Sequence, residues 1–548
     1  MSVLRRGAAL VAAAALSGAG LAVVTTAPAE AAGTDPRPVS VGASWLADHL
    51  VNGVISDSYV DNTDPENPVP VAFDDLGLTM DTAMSLVAVG GHASTVSTIK
   101  SAMDARITET YDSFGTTYTG SAAKAAVYDR LVGGDPTDVG GDHTDLVKVV
   151  EDNTDDAAPV AGRIENVNDS FGDTNTFGQA FAARALAEAG SDKAADAEAF
   201  LLDQQCDAGF FRLNPNPDRA AEDQTCQAEV GTDASAPDTD ATAIAMLQLE
   251  ALATKSQAVT DALTAARDWL LDAQRADGSF GGGPSTSDPN ANSTALAGQA
   301  LAGLGETAAV KAAAIWVRAL QADEVGACTS QLSSETGGIG YDASTVADGR
   351  ADGITASTKD RWLRTTAPAL PILKYAPAVT PDLNITGPAG YVSGGHLATY
   401  RISGIVPGDK VCVAGFGRHK VAVGRADGTA TVYLTAPNKS ESTTVRVSDR
   451  GGNSSGVRTN ILTATTLTVA PSPSVAKRNS YITVTVSGLA AGESAKVVFR
   501  GASHSGHADP KGVFRVRVGV GSVVMSRTVA AYGQFTNRKG SHLVKVVR

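Results

Sequence analysis

Gln274-Arg275-Ala276-Asp277-Gly278-Ser279-Phe280-Gly281 is the stretch on which the reading of this chain turns, because versions of it return. An acid, a small residue and an aromatic, often with Gly, recur as Asp57-Ser58-Tyr59, Asp112-Ser113-Phe114-Gly115, Asp169-Ser170-Phe171-Gly172 and Asp207-Ala208-Gly209-Phe210. Gly338-Ile339-Gly340-Tyr341 is a weaker sixth copy. Copies roughly 40 to 70 residues apart signal an array of supersecondary units.

Each copy lies between two helical patterns. The stretch 257–274 places Val259, Ala262, Leu263, Ala266, Leu270 and Ala273 on one face, as an amphipathic helix requires. After the motif comes a polar loop, then a helix opened by residues whose side chains accept the orphan N–H groups of a first turn. The openers read Asp81-Thr82, Gly120-Ser121, Asn175-Thr176, Asp238-Thr239-Asp240, Asn292-Ser293-Thr294 and Thr355-Ala356-Ser357. The second helices, such as 242–252 and 295–304, are apolar nearly all round and should be the buried ones. Six hairpins with buried second helices suggest a closed ring, six inner helices wrapped by six outer ones. A solenoid of hairpins would show a similar period.

Gln274 to Phe280 resembles the Q-x-x-x-G-x-W repeat of the prenyltransferase and squalene–hopene cyclase superfamily, with Phe in place of Trp, and Gln205-Cys206-Asp207-Ala208-Gly209-Phe210 is similar. The likeness covers about residues 40–375 and implies that superfamily's (α/α)6 toroid. The superfamily includes terpene cyclases, protein prenyltransferases, thioester-containing complement-type domains and cobalamin carriers, so the likeness speaks to fold more than activity. Pro237-Asp238-Thr239-Asp240-Ala241-Thr242-Ala243 resembles the D-x-D-D-T-A motif of class II terpene cyclases. Carried over by position, Asp240 would be the acid that protonates the substrate and Asp238 its neighbour. Ala241 stands where that family has a third Asp, so the carboxylate cluster that tunes the proton is incomplete. Helix capping explains the same residues.

Beyond Pro377 the texture changes to alternating Val, Thr, Ile and Arg with Gly turns, which reads as β. A second repeat runs at a constant offset of 84 residues: Ser403-Gly404 matches Ser487-Gly488, Gly408 matches Gly492, and Val413 matches Val497. Two tandem all-β sandwiches follow, resembling bacterial Ig-like modules. The expected organisation is therefore a leader at 1–32, a toroid at 33–376, and sandwiches at 380–464 and 465–548. The leader reading rests on Arg5 and Arg6, the apolar run 8–24 and the small-x-small site Ala29-Glu30-Ala31. Residues 380–548 carry 21 Lys and Arg against 7 acids, net +14, while the whole chain is at −15. An acidic body is thus joined to a basic tail region.

Other chemistry finds little support. No Cys lies at an inner-helix opening for a zinc site, and the Cys-Gly-Glu-Gln thioester, the Gly-x-Ser-x-Gly elbow and the P-loop are absent. Acid-rich loops at Asp57, Asp61 and Asp64, or at Asp138, Asp142 and Asp145, are the places to look for Ca²⁺, though neither has EF-hand spacing. No other cofactor is expected. Cys206 and Cys226 bracket a long insertion and should pair; Cys328 and Cys412 pair only if the toroid rim touches the first sandwich. The expectation is a secreted or cell-surface binding or scaffold protein, not an enzyme. Its unknown ligand, a small molecule or a glycan, would sit at the toroid mouth in the loops after Phe114, Phe171, Phe210 and Phe280. The basic modules would meet anionic cell-wall polymer; no nucleic acid and no membrane span are expected. The rivals are a carrier similar to the cobalamin-binding toroids and a divergent class II terpene-cyclase-like enzyme acting through Asp240. An open aromatic cavity above Asp240 would favour the enzyme, an apolar cleft beside the sandwich the carrier, and a filled centre the scaffold.

Overall fold

A computed structural model describes residues 33–61, 69–113, 115–168, 174–378 and 382–548. The leader at 1–32 therefore lies outside the described residues, as do Asp64, Phe114 and Phe171. The helical part runs α1 (Arg37–Asp48), α2 (Leu76–Val89), α3 (Ala93–Asp104), α4 (Thr119–Leu131), α5 (Leu146–Asp152), α6 (Thr176–Ala189), α7 (Ala194–Asp203), α8 (Thr239–Ala251), α9 (Gln257–Ala273), α10 (Ala291–Gly303), α11 (Thr307–Leu320), α12 (Ala343–Asp352) and α13 (Lys359–Ala369).

Six of these form a closed inner ring: α2 packs on α4, α4 on α6, α6 on α8, α8 on α10, α10 on α13, and α13 back on α2. The ring closes because its helices are rich in small residues. Ala122, Ala123, Ala125 and Ala126 of α4, and Ala180, Ala182, Ala183 and Ala185 of α6, are all buried. Gly120 and Gly178 bring α4 and α6 to backbone contact, since a Cβ on Gly120 would lie 2.9 Å from the Gly178 Cα. The outer helices α1, α3, α5, α7, α9 and α11 cover the ring with one apolar face each. Trp45, Trp269 and Trp316 lie on α1, α9 and α11.

The repeat motif is the joint of this wall. Gln274 Nε2 donates to the Gly278 carbonyl within its own turn (3.1 Å) and to Ala309 O of α11 (2.9 Å). Gln205 does the same for Gly209 O and Ala262 O of α9, and Gln321 for Gly337 O and Pro38 O of α1. The last bond ties the final outer strut to the first. Gly278 has φ +91°, and a Cβ there would meet the Ala312 backbone at 2.6 Å, so the turn must be glycine to reach the next helix. Two residues on, the Phe280 amide donates to Thr294 Oγ1 of the inner helix (3.0 Å); Phe211 pairs likewise with Thr242, Ile339 with Thr366 and Ile55 with Thr79.

The structural repeat is thus a Gly followed two residues later by an apolar residue: Gly53/Ile55, Gly162/Ile164, Gly209/Phe211, Gly278/Phe280 and Gly337/Ile339. This corrects the acid–aromatic pattern in part. Asp57-Ser58-Tyr59 lies in the strand Val54–Asp61, past its glycine. Asp112 and Ser113 open a two-stranded hairpin, and a Cβ on Gly115 there would meet nothing within 4 Å, so it makes no close approach to an outer helix.

The C-terminal part is two β-sandwiches, each pairing a larger sheet with a three-stranded one. The 84-residue offset is visible in the strands: Leu397–Ser403 answers Tyr481–Ser487, Lys410–Gly415 answers Ser494–Phe499, and Arg418–Val423 answers Ala502–His507. Each has its own apolar core. The first sandwich is bolted to the toroid. Cys328 and Cys412 are joined by a disulfide, so the rim does touch the sandwich. Lys410, 2% exposed, donates to Gln321 O (2.6 Å), and Arg450 pairs with Asp323 (2.8 Å).

Candidate functional site

A cavity of about 650 Å³ lies at the centre of the ring, lined by residues of all six inner helices. Its wall is largely aliphatic: Met84, Val127, Leu131, Ile244, Leu247, Leu296 and Pro368, with Phe177 and Phe181 from α6. That size and lining match small-molecule sites in general. Polar side chains also reach it, and several are oriented by bonds to a neighbouring helix. Lys124 of α4 pairs with Asp81 of α2 (2.7 Å), Arg184 of α6 donates to Gln248 of α8 (3.2 Å), and Gln299 of α10 donates to Pro368 O (2.9 Å). These bonds cross between neighbouring inner helices and hold the wall in register.

The residues expected at the mouth are divided. Tyr118, after Phe114, and Thr174 and Asn175, after Phe171, line the cavity. The loops after Phe210 and Phe280 do not. Phe210 instead packs with the Cys206–Cys226 disulfide and the Trp269 ring, centroids 5.6 Å apart, and Phe280 is a core residue.

Asp238 and Asp240 sit at the N-terminus of α8. Asp238 caps the helix, accepting from the Ala241 amide (2.9 Å), and burial raises its carboxyl above the ordinary range. Burial pushes Asp240 up to about 6, with the Asp238 charge adding and the Ser293 hydroxyl opposing. Asp240 Oδ1 is buried without a hydrogen-bond partner. The loop Gly281-Gly282-Gly283 lies directly over the pair: a Cβ on Gly282 would stand 2.6 Å from Asp240 Oδ2, and one on Gly283 would strike Asp238. Asp240 is absent from the cavity lining, but Ile244, one turn on along the same helix face, belongs to it. Asn175 caps α6 as expected, accepting from the Gly178 amide (3.2 Å), while two caps shift: Asp75, not Asp81, caps α2, and Asn290, not Asn292, caps α10; α4 and α13 begin with no side-chain cap. Asp81 is freed for Lys124.

In the acid-rich loop after α4, Asp142 is exposed and its two fellow candidates bond locally. Asp138 pairs with His143 (2.6 Å), and Asp145 caps α5 by accepting from the Lys148 amide (2.9 Å). Asp57 is buried in its strand; the Asp61 side chain and Asp64 fall outside the described residues. Among the described residues no group of three His, Cys, Asp or Glu is placed to hold a metal.

Sequence reasoning passed over Lys124, Arg184, Gln248 and Gln299. Their signal was present: each is a long polar residue within an Ala-rich inner helix, and each lines the cavity.

The closed ring and its hollow centre define the class: an α/α toroid carried on two β-sandwiches. No protein-family model and no curated protein matches the sequence. Among solved structures the chain is similar to a protein from Actinoplanes, at 18% identity over 62% of this chain and 98% of that one, with a TM-score of 0.40. It is similar to the type II terpene cyclase MstE from Scytonema (14%, 62% and 97%, 0.41) and to an unsaturated glucuronyl hydrolase specific for heparin (13%, 62% and 96%, 0.43). The toroid assignment rests on the contacts that close the ring.

Proposed function

We propose that the protein is a secreted binding protein whose toroid holds a small, mainly apolar ligand bearing one or two polar groups. The central cavity carries this reading. Its aliphatic wall suits a hydrocarbon body better than a glycan, and the Lys124–Asp81 and Arg184–Gln248 pairs supply polar anchors. The leader-like first 32 residues and two disulfides support export. The net +14 of residues 380–548 supports attraction to anionic wall polymer, screened as the Debye length falls from about 10 Å at 0.1 M salt to about 3 Å at 1 M. A carrier of the cobalamin type would use an apolar cleft beside the sandwich, and that junction is filled instead by Lys410, Arg450 and a disulfide. The test is fluorescence of N-phenyl-1-naphthylamine, an apolar probe, with purified protein. Enhancement is expected, and Leu247→Trp with Leu296→Trp should abolish it while leaving the circular dichroism unchanged. No enhancement in the native protein would reject the reading.

A second reading has its own support. A buried carboxyl titrating near 6 with an unpartnered oxygen is suited to proton donation, as a terpene-cyclase-like acid must be. Turnover of a polyprenyl substrate, lost in Asp240→Asn with probe binding intact, would establish it over simple binding.

A further inference from the structure

The second sandwich separates its charges along its length. Residues 465–548 carry 12 Lys and Arg but only two acids, Glu493 and Asp509. Both acids lie at the end that faces the first sandwich. Glu493 is fully buried and pairs with Arg538 (2.6 Å), which also donates to Thr463 O (2.9 Å). Asp509 accepts from the Lys511 and Val513 amides in the turn beside Gly512. The Tyr391 hydroxyl of the first sandwich donates to Ala491 O (2.7 Å), which marks this end as the proximal one.

Strand register locates the opposite end. Tyr481 opposes Gly519, and Ser526 opposes Lys545, at the limits of their ladders farthest from the junction. The loops there are tied together: Val520 N donates to Ser480 O (3.0 Å), Asn479 N to Gly521 O (2.7 Å), Arg478 N to Val547 O (2.8 Å) and Val546 N to Met525 O (3.1 Å). The large exposed hydrophobic side chains of this sandwich lie at this distal end or, for Leu543, two rungs in from it. They are Val475, Tyr481, Val523, Val524, Met525 and Leu543, between 44% and 59% exposed. Interleaved with them are Lys477, Arg478, Arg500, Arg527, Lys545 and Arg548, and no acid occurs in 472–481, 514–532 or 540–548. The Arg517 guanidinium stacks 4.3 Å over the Tyr481 ring.

An apolar run in water, ringed by cations alone, calls for a partner that satisfies both at once. A soluble polyanion neutralises the cations and leaves Val523-Val524-Met525 wet. The face of an anionic bilayer offers phosphates and, a few ångströms deeper, acyl chains. We propose that the distal end of the second sandwich docks on an anionic lipid surface, seating Val523, Val524 and Met525 among the headgroups while the surrounding Lys and Arg engage lipid phosphates. This goes beyond the wall-polymer reading, which needs charge only.

The experiment uses the full-length protein and vesicles of phosphatidylcholine with or without phosphatidylglycerol. Cosedimentation is expected with phosphatidylglycerol and weak without it. Val524→Trp should show a blue-shifted emission on the anionic vesicles. The triple variant Val523→Ser/Val524→Ser/Met525→Ser changes only exposed side chains and should bind them about tenfold or more weakly. Soluble polyphosphate serves as the comparison. Unshifted Trp emission, or a triple variant that binds vesicles as well as the parent, would overturn the lipid assignment; if polyphosphate bound equally well in that case, the surface would be a polyanion site.

Discussion

At neutral pH the Asp240 carboxyl is held ionised against its surroundings. It is buried beside Asp238 under the Gly281–Gly283 loop and titrates near 6 rather than 3.8. The folded state therefore binds this proton more tightly than the unfolded chain does. Below pH 4 both states carry it and nothing is lost; between 4 and 6 only the folded state does, and stability falls as pH rises. Glu250, pushed up to about 8 chiefly by burial, extends the decline to higher pH. Asp240→Asn should accordingly match the parent at pH 4 and exceed it at pH 7, by at most about 3 kcal/mol for a two-unit shift. Urea melts at the two pH values check this, and an unchanged difference between them would show that Asp240 is free to ionise. The Asp238 and Asp240 positions were legible from the DTDAT stretch, as a cap and a possible acid. The shift of Asp240 was not, because it comes chiefly from burial under the Gly281–Gly283 loop, which only the fold brings over it.

Among the elements, the Gln–Gly turn does the joining. Gly278 stands at φ +91° with the Ala312 backbone 2.6 Å from where a Cβ would go, so Gly278→Ala adds both a strained backbone and a clash with a helix that cannot retreat. The cost should exceed about 2 kcal/mol in denaturant melts. Gly115, which also has positive φ but has nothing within 4 Å, carries only the backbone strain and should cost less. Equal losses at the two sites would mean that the turn's contact with α11 does not matter. Helix-versus-loop alternation and the buried second helices could be read from periodicity, since a ring of inner helices must be apolar nearly all round. The register of the repeat could not be read for every hairpin. Gly53 and Gly162 lack the neighbouring Gln and aromatic that flagged Gly278, and only their approach to α3 and α7 identifies them.

At the scale of the whole molecule, the toroid and first sandwich are coupled through one small junction. Asp323 serves both Arg450 of the sandwich (2.8 Å) and Arg37 of α1 (3.0 Å), beside the Cys328–Cys412 disulfide. Removing Asp323 takes the nearest carboxylate from the partly buried Arg450, leaving it Asp409 at 3.9 Å, and frees the exposed Arg37. Calorimetry of Asp323→Ala combined with Cys328→Ser/Cys412→Ser should resolve separate toroid and sandwich transitions that lie closer together in the parent. Coincident transitions in both proteins would show that the domains are coupled elsewhere.

The sequence by itself determined the class of each part. A helical period broken by Gly-aromatic turns has no stable use except paired helices, and the alternating Val-Thr runs at an 84-residue offset have none except repeated sandwiches. It also brought Cys206 and Cys226 together as partners, because they bracket one local loop. Tertiary structure alone decided that the hairpins close, through α13 on α2 and Gln321 on Pro38, where a solenoid has the same period. It decided that Cys328 meets Cys412 across 84 residues, and that Lys124, Arg184, Gln248 and Gln299 converge on one hollow. The reason is physical: periodicity reports which face of a helix is buried, and says nothing of which other helix that face will meet.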